Sequence, residues 1–162
     1  MLAPKEILVA TDFSNCSTVA LEYGRTLART FGARLHVLHV VEAFAVDSMA
    51  FGAAAAAIPS LQLELEAAAA KTLESLVTAD DRRDLRAITS LRAVDTPAHA
   101  IVEYAGDAKI DLIIVGTHGR KGISHVLVGS VAEKVVRLAP CPVLTVRPTA
   151  ERLIKPDKVP AA

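Results

Sequence analysis

The chain is 162 residues long, 52% hydrophobic and 22% charged, with 18 basic residues balanced by 18 acidic ones. That length suits one domain with a full core, and the apolar content excludes a wholly disordered chain. The zero formal net charge excludes bulk attraction to nucleic acid or an anionic membrane, so phosphate binding must come from local geometry.

The longest uncharged run, residues 48–63, is interrupted by Gly52 and Pro59 and is too short to span a bilayer. Lys5, Glu6 and Asp12 come too early to leave room for the apolar core of a secretory leader. Cys16 and Cys141 form no metal or redox spacing. The expectation is a cytoplasmic protein with two reduced thiols.

In chain order, Ile7 to Ala10 reads as a first strand, ending in the turn Thr11-Asp12-Phe13-Ser14. Ser14 is a good N-cap for a helix from about Cys16 to Phe31, where Val19, Ala20, Tyr23, Leu27 and Phe31 fall at helical spacing. Gly32 then stops it. Leu35 to Val41 is a second strand carrying His36 and His39, read as structural. Ala43 to Ser60 is a long alanine-rich connection, open to reading as a lid, an oligomer contact or a plain loop. A second helix is expected over Leu61 to Thr78.

Ala87 to Arg92 is the third strand. Asp95-Thr96-Pro97 opens a third helix with a capping side chain before a first-turn proline, and this helix ends near Gly106. Leu112 to Val115 is a continuous apolar run suited to a strand covered on both faces. A helix over Val131 to Leu138 and a last strand over Pro142 to Val146 complete the set. Strands alternating with helices predict an α/β fold: a doubly wound, five-stranded parallel sheet with helices on both faces. Residues 1–148 read as one nucleotide-binding domain and 149–162 as a tail.

One stretch points at a ligand. After the fourth strand comes Gly116-Thr117-His118-Gly119, nine residues, then Gly129-Ser130 at a helix start. Glycines let backbone N–H groups approach an anion, and a helix N-terminus adds unpaired donors and a positive dipole end. If the first and fourth strands are neighbours, Asp12 and Gly116 face one crevice. Ser130 can cap the last helix or donate to a phosphate, and both readings stay open. Asp12 can stabilise its turn or meet a ligand. His118 lacks companions at metal-ligand spacing and reads as an orienting residue; Arg120 and Lys121 are either phosphate contacts or solvated. Walker, dinucleotide-fingerprint and nucleophile-elbow motifs are all missing.

Thr11-Asp12-Phe13-Ser14, Leu38-His39-Val40, Gly116-Thr117-His118-Gly119 with Gly129-Ser130, and Pro140 to Val146 together resemble the universal stress protein family. The similarity spans residues 5 to 148 in order. It implies an adenine nucleotide alpha hydrolase-like fold, a homodimer through the last strand, and ATP as ligand, with Mg²⁺ or Mn²⁺ accompanying the triphosphate. It places Thr11 and Asp12 near the ribose or adenine and Val40 at the base through its backbone. Val115, Gly116, Thr117, His118, Gly119, Arg120, Gly129, Ser130 and Val131 would hold the rest of the nucleotide. The implied role is a nucleotide-responsive regulatory or protective module in stress response. A slow ATPase or phosphotransferase and an interaction-only protein with an empty crevice are the alternatives. No base–nucleophile pair is visible, so hydrolysis is expected to be slow or nil. Gly116→Val or Gly129→Val is expected to abolish binding while leaving the fold intact.

Overall fold

The computed structural model describes residues 3–43, 57–117 and 129–147. Five strands form one parallel sheet: β1 (Glu6–Thr11), β2 (Arg34–Glu42), β3 (Ile88–Val94), β4 (Leu112–Gly116) and β5 (Val143–Val146), in the order β3-β2-β1-β4-β5. Strand β1 pairs with β2 on one side and β4 on the other, with Ala10 level with both Leu38 and Val115. The doubly wound parallel sheet expected from the sequence is therefore present, and the first and fourth strands are neighbours.

Five helices connect the strands: α1 (Asn15–Phe31), α2 (Ile58–Leu76), α3 (Ala79–Asp84), α4 (Pro97–Asp107) and α5 (Ser130–Leu138). Strand side chains alternate between faces, which divides the core in two. Ile7, Val9, Leu35, Val37 and Ile114 pack on one face with Val19, Ala20 and Leu21 of α1 and Leu73 of α2. Leu8, Leu38, Ile113 and Val115 pack on the other with Ile101 and Tyr104 of α4 and Val135 of α5. Each such fully buried aliphatic side chain contributes roughly 1.5–3 kcal/mol. The sheet is thus covered on both sides, the condition that makes its strands read as continuous apolar runs.

Helix α1 follows its sequence signals closely. Ser14 caps it by accepting from Ser17 N, and Gly32 ends it in the left-handed region at φ 65°, with its N–H donating to Ala28 O. Three boundaries differ from expectation. Helix α2 begins at Ile58 instead of Leu61, because Pro59 sits in the first turn, where its missing N–H costs nothing. It stops at Leu76, and a separate short helix, α3, is nucleated by a capping box in which Thr78 and Asp81 satisfy each other's backbone N–H groups. Strand β3 runs over Ile88–Val94 instead of Ala87 to Arg92, since Glu42 of β2 extends the pairing to Val94. Of the long connection Ala43 to Ser60, residues 44–56 lie outside the described residues, as does the tail from 148 onward.

His36 and His39 are structural, as read. His36 is 4% exposed, with Nδ1 2.9 Å from the Tyr104 hydroxyl and Nε2 2.8 Å from Glu6 Oε2. Burial raises the Tyr104 pKa, and Glu6 adds to that, so its hydroxyl stays protonated and available to this network.

Candidate functional site

The chain leaves β1 and β4 at the same edge of the sheet, at the point where strand order reverses. In such sheets the crevice beyond the carboxyl ends at this point is where ligands bind. The turn after β1 is tightly specified. Thr11 is buried; its hydroxyl lies 3.0 Å from Ser17 Oγ and accepts from Phe13 N at 3.1 Å. Asp12 is half-buried, and its Oδ1 accepts from Ser14 N at 3.1 Å and Ser14 Oγ at 2.5 Å. The turn-stabilising role weighed for Asp12 is therefore realised, and it fixes the carboxylate beside the crevice.

Between them Phe13 adopts φ 64°, a left-handed conformation that an aromatic residue rarely takes. Such strain costs on the order of 1–3 kcal/mol and gathers at functional sites. Its ring lies against His39, centroids 4.1 Å apart, while His39 Nδ1 donates to Thr11 O at 2.7 Å. Because β1 and β2 are in register at Thr11 and His39, this contact also places Val40, half-buried, one residue beyond the Asp12 turn.

The turn after β4 is built by contact with α1. Val115 is buried at the end of the strand, and a Cβ on Gly116 would lie 2.9 Å from Cys16 Sγ and 3.3 Å from the Cys16 carbonyl carbon. Gly116 is bare because the first turn of α1 occupies the space. The expectation that Gly116→Val leaves the fold intact is corrected by this packing. Thr117 is 2% exposed; its N–H donates to Val146 O at 2.8 Å, and its carbonyl accepts from Gly129 N at 2.5 Å. These two bonds tie the end of β4 to β5 and to the start of α5.

Gly129, not Ser130, is the N-cap of α5, at φ −64° and ψ 151°. Capping by Ser130 is thereby removed as a reading: it is the first helical residue, with its side chain exposed. The first intrahelical bond is Glu133 N to Gly129 O. Ser130, Val131 and Ala132 are thus left with N–H groups that have no partner within the helix, at its positive end. Of the expected cradle, the Gly129 and Thr117 amides are consumed internally and the α5 first turn is open. His118, Gly119 and Arg120 lie outside the described residues.

The same helix end forms one wall of a cleft of about 240 Å³, with Glu42 at the end of β2, Asp95 and Thr96 before α4, and Lys134 of α5. The sequence reading missed this cleft because Asp95-Thr96-Pro97 was assigned only to starting a helix. The available signal was an acidic residue at the ends of two strands that turn out to be adjacent. Among the described residues no group of three His, Cys, Asp or Glu side chains is arranged to hold a metal ion.

The sequence profile described as the Universal stress protein family matches residues 4–147. The chain belongs to that family. It is 34% identical over 146 residues to the universal stress protein YxiE of Bacillus subtilis, covering 88% of this chain and 98% of the relative. Among solved structures it resembles UspA from Lactobacillus plantarum, with a TM-score of 0.71, 26% identity, and 91% and 100% of the two chains covered. It also resembles a universal stress protein in complex with cAMP, with a TM-score of 0.62, 26% identity and coverage of 91% and 99%. Among the described residues of this universal stress protein, no helix is long and apolar enough to cross a membrane.

Proposed function

We propose that this universal stress protein binds an adenine nucleotide, ATP foremost, in the crevice between the β1 and β4 turns, and acts in the cytoplasm as a nucleotide-responsive regulatory or protective module. The observation that carries the reading is the open first turn of α5. Three N–H groups without intrahelical partners stand at a positive helix end, tied through Thr117 to the end of β4 and hence beside the Asp12 turn. The likeness to a family member complexed with cAMP supports an adenine ligand.

The roles divide by chemistry. The amides of Ser130, Val131 and Ala132 would hold a phosphate, with the Ser130 hydroxyl as a further donor. Asp12 and the backbone of Val40 would face the ribose and base. His118, Gly119 and Arg120 carry over from the family motif as phosphate contacts. The donor set fits a polyanion. A Mg²⁺ or Mn²⁺ ion would arrive on the triphosphate, held by phosphate oxygens and water, supplying charge neutralisation.

In this reading hydrolysis is slow or absent, because Asp12 Oδ1 is engaged with Ser14 rather than poised on a water. Strand β5 is at the sheet's edge with half-buried Val143 and Leu144, which supports pairing with a second copy there.

Isothermal titration calorimetry and thermal denaturation with ATP–Mg²⁺ test the reading. We expect saturable heat, and a stabilisation of about 2.7 kcal/mol at a hundredfold excess over Kd. Absence of both heat and stabilisation with ATP, ADP, AMP and cAMP would remove it.

A further inference from the structure

We propose that Glu42 and Asp95 read the ribose of the bound nucleotide, making the protein selective for ribonucleotides over deoxyribonucleotides. The proposal rests on the adenine-nucleotide reading and adds to it two residues outside the β1 and β4 turns. Glu42 is the last residue of β2 and pairs with Val94, the last residue of β3; Ala43 N donates to Val94 O at 3.0 Å. Asp95 follows directly. The two carboxylates therefore stand at adjacent strand ends, whose backbones are roughly 5 Å apart. Both are exposed at the mouth of the cleft whose opposite wall is Ser130 and Val131.

Charge and size decide what fits. Two carboxylates face one ammonium, that of Lys134, so the cleft disfavours a phosphate and favours a neutral group rich in hydrogen-bond donors. Its volume of about 240 Å³ falls below the roughly 300–1,000 Å³ of a pocket that encloses a whole ligand. It can take a sugar but not an entire triphosphate. The ribose is the part of a nucleotide attached directly to the phosphate chain. A phosphate on the open amides at the α5 N-terminus brings the 2′,3′-diol to the cleft. Ionised carboxylates accept from both hydroxyls, the chemistry by which an acidic residue past the second strand reads a ribose in dinucleotide-binding sheets. Thr96 Oγ1 lies 3.4 Å from Asp95 Oδ1 and helps orient that carboxylate.

Calorimetric titration of the wild type, Glu42→Gln and Asp95→Asn with ATP, 2′-deoxy-ATP, 3′-deoxy-ATP and ITP tests the assignment. Both residues are exposed, so the variants should fold, as circular dichroism would confirm. The wild type should bind ATP roughly tenfold or more tighter than either deoxy analogue, the worth of a hydrogen bond to a charged acceptor. That ratio should collapse toward one in at least one variant, with ITP unaffected. Wild-type ATP binding with an ATP/deoxy ratio unchanged in both variants would overturn the ribose role alone. Discrimination that shifts to ITP would mean that the carboxylates read the base, and would also overturn it. Silence with every nucleotide would overturn both this assignment and the reading it rests on.

Discussion

At Gly116 the backbone of β4 passes so close to α1 that a single added carbon would meet Cys16 Sγ at 2.9 Å. Cys16 cannot swing away freely, since its thiol is buried and donates to Val146 O at 3.2 Å. We therefore expect Gly116→Ala to destabilise the protein by about 1–3 kcal/mol through overpacking, seen as a lower urea midpoint in the absence of nucleotide. Cys16→Ala in the same chain should recover part of the loss. The recovery is partial because the Cys16 carbonyl carbon, 3.3 Å from the added carbon, remains. An unchanged midpoint in Gly116→Ala would contradict the packing account. This glycine shows why the site was only half legible in sequence. The Gly116–Gly129 spacing correctly located a strand-to-helix turn, but a one-dimensional pattern cannot say whether a bare position faces a ligand or a neighbouring helix. Phe13, in the left-handed region, gave no signal at all, because its conformation is imposed by Thr11 and His39 on either side.

Among the elements, α3 was the largest surprise. Its six residues are mostly charged, and Asp81 would ordinarily be taken as solvated, yet it is 1% exposed. Arg25 Nε donates to both its oxygens at 3.1 and 3.0 Å, and Nη2 bridges Asp81 Oδ2 at 2.8 Å and Leu76 O at 2.7 Å. This pair fastens the α2–α3 corner to α1. Partners separated by 56 residues are invisible to local patterning, whereas the caps of α1 and the β4 run, being local, were read correctly. Burial alone would raise the Asp81 pKa, but the Arg25 and Thr78 hydrogen bonds and the Arg25 charge outweigh it, so the net shift is downward. A carboxylate depressed in the folded state stabilises above its unfolded value, about 3.9, and that stability is lost as pH falls through the lower folded value. Asp81→Asn should therefore cost about 3–5 kcal/mol near pH 7, by stranding Arg25. The gap from wild type should narrow as pH drops from about 5 toward 3. Urea denaturation across that range checks this, and a constant gap would contradict it.

For the whole molecule, strand order settles what side-chain pattern could not. Ordering β3-β2-β1-β4-β5 puts the two candidate turns at one switch point and leaves β5 at an edge. We expect sedimentation velocity to show a dimer at micromolar concentration, and a charged substitution such as Leu144→Lys on that edge to shift it toward monomer; a monomer alone in the wild type would contradict edge pairing. The fold class followed from alternating strands and helices. Whether the Asp12 and Gly116 turns face each other depended on an adjacency that the sequence could only pose as a condition. The central claim is that a phosphate sits on the first turn of α5 beside Asp12. Its most direct test is an ¹⁵N–¹H correlation spectrum recorded through a titration with ATP–Mg²⁺. The account predicts that the amide peaks of Ser130, Val131 and Ala132 move most and saturate together with those of Asp12 and Thr117. Peaks at these positions that stay fixed while ATP binds elsewhere, or a spectrum that does not change at all, would contradict it.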